Sequence, residues 1–276
     1  MSSILVFGAQ GQLGYRLAEQ AGDDAIAITR AQCDFTALDP AQVEALITTH
    51  QPRWIINAAA YTAVDDAERQ LELAYAINAE APKILARLAA KYAVRFTHFS
   101  TDYVFDGESD APSTETARCN PLGQYGKSKL YGEQAALDAG AQVFRLQWVY
   151  DTRGRNFFAT MRRLLAERDA VKVVADQLGA PSYAPHLARA VLAAEPLAPG
   201  LYHLAPAGHT SWHGFACTIA QGMGINTAIA PITTAEYPTP ARRPRDTRLA
   251  TNKLAEAGIA LPHWQDGLKE AMHATD

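Results

Sequence analysis

The sequence predicts an α/β protein: a Rossmann doubly wound parallel sheet carrying a smaller, partly interwoven C-terminal α/β substrate lobe. Three observations predict it. Short apolar runs alternate with helical patterns through the first half of the chain, as parallel strands joined by right-handed crossovers require. A glycine-rich segment, Gly8-Ala9-Gln10-Gly11-Gln12-Leu13-Gly14, separates the first run from the first helix, where a phosphate-binding turn belongs. Tyr125 and Lys129, four residues apart on a predicted helix, follow a strand that ends in Ser100-Thr101-Asp102.

The elements follow in order. Ile4-Leu5-Val6-Phe7 reads as a buried strand and the segment from Gly11 to about Gln20 as a helix. Ala25 to Thr29 is a second strand. Asp39-Pro40 opens a helix, with Asp as N-cap and Pro at the first position; it carries Val43, Leu46 and Ile47 and stops before Pro52. Trp54 to Asn57 is a third strand, and a helix spans about Ala74 to Tyr92, with Pro82 bending it or marking a late start. Val94 to Phe99 and Val143 to Leu146 are strands four and five, flanking the helix that bears Tyr125 and Lys129.

The second half is less regular. Helices are expected near Phe157–Arg168, Ala184–Ala194 and Trp212–Gln221, and strands at Val171–Val174 and Leu201–Leu204. A proline- and arginine-rich loop runs from Tyr237 to Arg248, and two short helices follow. The expected division is a dinucleotide-binding domain over 1–149 and a substrate lobe over 150–276, with elements interleaved. The cleft between them is the natural site.

Composition excludes several classes. The 276 residues are 48% hydrophobic with net charge -4, enough for a sizeable core and without the basic run that nucleic acid attracts. No window approaches the roughly 18 apolar residues of a membrane span, and no signal-peptide pattern precedes the first strand. Cys33, Cys119 and Cys217 lie far apart and read as free thiols in a reducing cytoplasm. The eight histidines show no metal-ligand spacing.

The chemistry is read from the motifs. A lysine ammonium beside a phenol is expected to lower the tyrosine pKa from about 10, suiting it to proton exchange with a carbonyl or alcohol. A dinucleotide loop supplies a hydride, so together they imply a nicotinamide-dependent oxidoreductase. The chain has 11 tyrosines, so an isolated Tyr–Lys pair says little; the order of loop, strand end and helix gives it weight. Lys129 is preferred to Lys127 because only it lies one helical turn on.

Gly8, Gly11 and Gly14 permit a tight turn and close backbone approach, and the helix N-terminus attracts a pyrophosphate. Where dinucleotide folds often place an acid for the NAD ribose, this chain has Thr29-Arg30. Arg30 suits the 2′-phosphate of NADP, or is a solvated surface arginine. Asp34 and Phe35 border the adenine side of the site, or Asp34 forms a turn. After Asn57 come Ala58, Ala59 and Ala60, small enough for a flat cofactor or for close helix packing. Asn78 reads as a buried amide. Thr101 is placed to hydrogen-bond a substrate carbonyl, or to cap the next turn with Asp102. Trp148 stacks on a base or sugar, or packs in the core. Arg242, Arg243, Arg245 and Arg248 are candidates for a diphosphate, or are solvated.

These residues resemble a known family. "FGAQGQLG", "NAAAYTAVDDAE", "STDYVFDG", "PLGQYGKSKLYGE", "NFF", "DQLGAPS", "GLYHL", "YPTPARRP" and "TRL" resemble the dTDP-4-dehydrorhamnose reductases of the extended short-chain dehydrogenase/reductase superfamily, from Ile4 to near the C-terminus. The resemblance implies reduction of the C4 ketone of dTDP-4-dehydro-L-rhamnose by NADPH or NADH, giving dTDP-L-rhamnose for surface polysaccharide such as lipopolysaccharide. It implies Tyr125 as proton donor, Lys129 as its partner and nicotinamide-ribose ligand, and Thr101 as the tuning hydroxyl. Thr101, Asp102 and Trp148 resemble its sugar-nucleotide contacts. Gln12, Leu13, Asp34, Phe35, Ala60, Tyr61 and Thr62 resemble its cofactor contacts, and Arg243 its nucleotide-phosphate arginine.

The chain departs from the family at Leu146-Gln147, before Trp148, and at Ser182. Some members use Mg at a dimer interface; no acidic cluster in this sequence supports a metal. The cysteines place such an enzyme in the cytoplasm, and a homodimer stays open as its assembly. Two rivals remain open: a reductase or epimerase of another nucleotide sugar, and an NADP-binding regulatory subunit like that of methionine adenosyltransferase.

Overall fold

The computed structural model describes residues 3–274. Among them, strands of four or more residues are β1 (Ile4–Phe7), β2 (Ala25–Ile28), β3 (Trp54–Asn57), β4 (Arg95–Thr101), β5 (Gln142–Leu146), β6 (Ala170–Val174), β7 (Gly200–His203) and β8 (Ala228–Ile232). Helices of ten or more are α1 (Gln12–Ala21), α2 (Pro40–His50), α3 (Ala81–Lys91), α4 (Gln124–Asp138), α5 (Phe157–Glu167), α6 (Ala184–Ala193), α7 (Trp212–Met223) and α8 (Trp264–His273).

Six strands form one parallel sheet in the order β2-β1-β3-β4-β5-β7. The chain steps from β1 to β2 on one side, then returns to β3 on the other. That reversal opens a crevice at the carboxyl ends of β1 and β3, where such sheets bind ligands. Strand side chains alternate between two cores. Ile4, Val6, Trp54, Ile56 and Phe144 pack with Leu13 and Leu17 of α1 and Leu187 and Val191 of α6. Leu5, Phe7, Ile55 and Val143 pack on the opposite face with Val43 and Ile47 of α2 and Leu85 and Ala89 of α3. The doubly wound sheet expected from the sequence is therefore present.

Local signals behave as their chemistry dictates. Asp39 caps α2, accepting from the Ala41 N–H at 2.9 Å, with Pro40 at the first position. The helix expected from Ala74 begins earlier, at Leu71, and passes through a π turn over Ala76–Glu80 before α3. Pro82 sits in the first turn of α3, directly after the π turn.

The π turn has a purpose. It presents Asn78, whose Oδ1 accepts from Tyr61 N at 2.8 Å while Nδ2 donates to Tyr61 O at 3.0 Å and Ser128 Oγ at 3.1 Å. That buried amide ties the segment after β3 to α4. Gly132 makes the approach possible, since a Cβ there would lie 2.0 Å from the Asn78 carbonyl oxygen.

The second half builds a separate core of Tyr150, Phe158, Met161, Val171, Phe215, Trp264 and Leu268. Leu201–Leu204, expected among the C-terminal elements, instead supplies β7, which pairs with β5 in the main sheet. α6 packs against α1 on the same return. β8 was not foreseen; among the described residues it pairs only with β6, in parallel, and so tolerates Pro231 as an edge strand does. No helix among the described residues is long and apolar enough to cross a membrane.

Gly132→Ala should destabilise the protein by about 1–3 kcal/mol, the cost of overpacking, read as a lower Tm in thermal unfolding. An unchanged Tm would show that the α4 contact with the π turn is slack.

Candidate active site

The carboxyl ends of β1, β3, β4 and β5 open on a cleft of about 720 Å³. Of the residues singled out in the sequence, Gly8, Gly11, Gln12, Leu13, Arg30, Asp34, Phe35, Ala60, Thr62, Thr101, Asp102, Tyr125, Lys129 and Trp148 line it. Gly14, Tyr61 and Arg243 do not.

The glycine loop explains Gly14. Gly8 has φ +75°, and its absent Cβ would sit 2.5 Å from Ala59 N. A Cβ at Gly14 would lie 2.2 Å from the Gly8 carbonyl oxygen. Gly14 therefore lets α1 close on the loop without facing the cleft, and the α1 N-terminus carries no acidic residue in its first turn. Tyr61 is held at its backbone by Asn78, and its hydroxyl donates to Gln70 Oε1 at 3.2 Å.

At the outer end, Arg30 is mostly exposed and its Nε donates to Asp34 Oδ2 at 3.4 Å. Asp34 caps the turn Phe35–Ala37, accepting from Thr36 N at 2.9 Å. It is thus both a turn-former and a cleft residue.

The chemical centre lies where α4 crosses β4. Lys129 is 3% exposed and donates from Nζ to the Phe99 carbonyl. Burial pushes its pKa down to about 8, against the pull of Glu133. Burial also pushes the Tyr125 phenol up to about 12, with the Thr101 hydroxyl acting in the opposite sense. This corrects the expectation that Lys129 lowers the tyrosine pKa. Four-residue spacing puts both on one helix face, but the ammonium turns to the Phe99 carbonyl and desolvation dominates. Tyr125 therefore keeps its proton at neutral pH, the state a donor needs. The Tyr103 ring meets it edge-on, centroids 5.7 Å apart.

Asp102 is 3% exposed. Its Oδ1 accepts from Thr101 Oγ1 at 3.0 Å, and Thr101 Oγ1 accepts from Tyr103 N at 3.2 Å. Thr101 therefore caps the turn, as one of its two readings expected, and its hydroxyl also lies against the Tyr125 phenol. Burial pushes the Asp102 carboxyl up to about 7.

Behind this centre lies a buried cluster the sequence reading did not find. Glu133, one turn beyond Lys129, receives Arg145 Nε at 2.9 Å and a second Arg145 N–H on its other oxygen. Glu133 and Arg145 are each 2% exposed. His203 Nδ1 lies 3.1 Å from the Ala250 carbonyl and must donate to it, leaving Nε2 to accept from Arg145 Nη1 at 3.3 Å. Burial, then Arg145, push His203 down to about 3, so it stays neutral. Arg145 sits between Phe144 and Leu146 in β5, and only its charge there points to a buried partner.

The second lobe closes the far side. Trp148 has φ +44°, an outlier for a bulky residue and a conformation found at functional sites. Its ring stacks on Trp212, centroids 3.6 Å apart, and a Cβ at Gly179 would fall 2.5 Å from it. Gly154, Arg155 and Asn156 also line the cleft; the sequence reading gave them no role. Asn156 Nδ2 donates to Gln12 Oε1 at 2.8 Å. Arg16 of α1 holds the buried Asp151 through two bonds of 2.6 and 2.7 Å. The loop before α5 is thereby fastened to the glycine loop and its helix.

The arginine-rich loop is held elsewhere. Arg243 donates to both Asp65 oxygens, at 2.9 and 2.8 Å. Arg245 pairs with Asp110 and Arg248 with Asp246. Among the described residues no group of three or more His, Cys, Asp or Glu is placed to hold a metal ion.

A family profile, the RmlD substrate binding domain, matches residues 1–276. The chain belongs to this family. Among its relatives is a dTDP-4-dehydrorhamnose reductase of Burkholderia thailandensis, 40% identical over 95% of this chain and 95% of that protein. The spore coat polysaccharide biosynthesis protein SpsK of Bacillus subtilis is 37% identical over 98% and 96%. A crystal structure of dTDP-4-dehydrorhamnose reductase from Bacillus anthracis in complex with NADP superposes with TM-score 0.94 at 33% identity, covering 100% of both chains. Thermus thermophilus UDP-glucose 4-epimerase shares the fold at TM-score 0.83 and 19% identity, over 98% of this chain and 97% of that one.

In this member of the RmlD family the Asp102 carboxyl gives a stability signature. Its folded pKa is raised to about 7, against about 3.9 unfolded, so the native state holds a proton that the unfolded chain releases. The stabilisation is full below the unfolded pKa and is lost as pH rises through 7. Asp102→Asn removes this dependence. The Tm of the variant relative to wild type should rise between pH 4 and pH 8; a constant difference would contradict the raised pKa.

Proposed function

We propose that this protein reduces the C4 ketone of dTDP-4-dehydro-L-rhamnose to dTDP-L-rhamnose, with NADPH as reductant and NADH as the second choice. The observation that carries the reading is the placement of Tyr125 and Lys129 in one cleft with the glycine loop. The relatives named as reductases, matched over nearly their whole length, support the substrate.

The cleft suits a dinucleotide. The Gly8 turn and the acid-free N-terminus of α1 leave donors and dipole open to a pyrophosphate. Gln12, Leu13, Asp34, Phe35, Ala60 and Thr62 line its path, and Arg30 offers an exposed guanidinium for a 2′-phosphate. Gly14 and Tyr61 serve that path through the backbone. A reduced nicotinamide, once bound, supplies the hydride.

The chain's own residues do the rest. Tyr125 gives its proton to the sugar oxygen as negative charge develops there, and Thr101 tunes the phenol. Lys129, fixed by the Phe99 carbonyl, holds the nicotinamide ribose. Asp102 and Trp148 contact the sugar nucleotide. Arg243, which Asp65 holds near Tyr103, is the proposed nucleotide-phosphate contact.

The same proposal places the dinucleotide domain over 1–149 and the sugar-nucleotide lobe over 150–276, with α6 and β7 returned to the first. It also includes a cytoplasmic setting and a homodimer. The exposed Leu71 and Tyr131, on neighbouring helices, support a homodimer.

Tyr125→Phe should lower kcat by roughly 10²-fold or more, the scale of general acid catalysis, followed by loss of reduced-nicotinamide absorbance with the dTDP-keto-sugar. Near-wild-type turnover would remove Tyr125 from the reaction. Arg30→Ala should raise KM for NADPH about tenfold, the worth of one charge-assisted contact, and leave KM for NADH unchanged. An equal change for both cofactors would remove Arg30 from the phosphate site.

A further inference from the structure

Asp102 is the only buried carboxyl among the described residues lining the cleft, and the hydrogen bonds around it are directional. A threonine hydroxyl has one proton to donate, and an ionised carboxylate only accepts. Thr101 gives that proton to Asp102 Oδ1 and accepts from Tyr103 N. The same hydroxyl meets the Tyr125 phenol. While Asp102 is ionised, Thr101 therefore faces Tyr125 only as an acceptor. That draws the phenol proton toward Thr101 and away from the substrate.

A protonated Asp102 reverses the chain. It donates to Thr101, Thr101 donates to Tyr125, and the phenol proton is free to go to the substrate. Asp102 Oδ2 makes no hydrogen bond among the described residues, and burial outweighs the Thr247 and Thr101 hydroxyls and the nearby backbone N–H groups that favour the ionised carboxylate. The groups facing Asp102 are Tyr103 beside it, Tyr125 from α4 and Thr247 from the C-terminal segment. Arg243 and Asp65 act on Tyr103 at the next remove, while Lys129 faces the Phe99 carbonyl and Glu133.

We propose that Asp102 is a positioning residue that sets the direction of the Asp102–Thr101–Tyr125 hydrogen-bond chain and returns a proton to Tyr125 after each reduction. The proposal rests on the reductase reading. As the hydride of the reduced nicotinamide adds to the ketone carbon, the C=O π bond breaks and the oxygen takes the Tyr125 proton. The nicotinamide leaves oxidised. The phenolate takes the Thr101 proton and Thr101 takes that of Asp102. Asp102 is left ionised until solvent in the open cleft reprotonates it.

The test is the pH profile of kcat for wild type, Asp102→Asn, Thr101→Val and Thr101→Ser, beside a ¹³C NMR titration of aspartate carboxyls in the cofactor-free protein. Wild-type kcat should fall as pH rises through about 7. Asp102→Asn should lose that transition and about tenfold in kcat, a modest share of an acid–base contribution. Thr101→Val should lose the transition too, and Thr101→Ser should keep it, which decides the matter if the Asp102 variant does not fold. The carboxyl resonance missing from Asp102→Asn should titrate near neutrality. Titration in the ordinary carboxylate range, around 4, would overturn the proposal. So would an unchanged transition in Asp102→Asn, or a raised KM with unchanged kcat, which would make Asp102 a plain substrate contact. Absence of wild-type turnover would count against the reductase reading alone, because the NMR titration still tests the hydrogen-bond chain.

Discussion

The Arg145–Glu133 pair holds the helix of Tyr125 and Lys129 against the fifth strand, and the geometry of the cleft depends on that hold. Both charges are out of water. A buried pair recovers its desolvation only with good geometry and all protons placed. Here the guanidinium reaches both Glu133 oxygens, the neutral ring of His203 and the Cys119 sulfur, and lies 4.9 Å from the centroid of the Phe105 ring. Removing one partner from such a pair costs about 3–5 kcal/mol. On the other side of α4, Asn78 and Gly132 fix its distance from the π turn. The helix is therefore clamped from two sides, and Tyr125 and Lys129 inherit that precision.

Desolvation then sets the protonation states. Burial moves Tyr125, Lys129, Asp102 and His203 each toward its neutral form. A site that keeps its acids protonated is poised to give protons to a developing alkoxide. It also strengthens each remaining electrostatic contact, because little water competes. The open side of the cleft is completed by the second lobe, through the Trp148–Trp212 stack and the Gln12–Asn156 bond. The glycine loop and the second lobe are thus joined by hydrogen bonds as well as by the chain.

Much of this was legible in the sequence, for physical reasons. The alternation of apolar runs gave β1 to β5 within two residues at their ends, because β1, β3, β4 and β5 are buried on both faces and β2 is a short apolar edge strand beside them. Gly8, Thr101, Tyr125 and Lys129 were found because strand ends and helix periodicity put them in one place. What escaped depends on contacts distant in sequence. Arg145 and Glu133 lie in different elements, and nothing in the sequence pairs them. Gly132 carries no signal in the sequence, and only the Asn78 carbonyl explains it. Pro231 hid β8. Leu201 gave no sign that its strand would travel back to β5. The Tyr125 pKa went the other way because four-residue spacing reveals a neighbour but not the burial around it.

The central claim is a net, direct reduction at the sugar C4. The measurement closest to it uses NADPH deuterated at the transferable C4 position with dTDP-4-dehydro-L-rhamnose, and reads the product by NMR. The account predicts one deuterium on C4 of dTDP-L-rhamnose for each NADPH oxidised. Sugar converted with no net nicotinamide oxidation, or deuterium at another carbon, would contradict it.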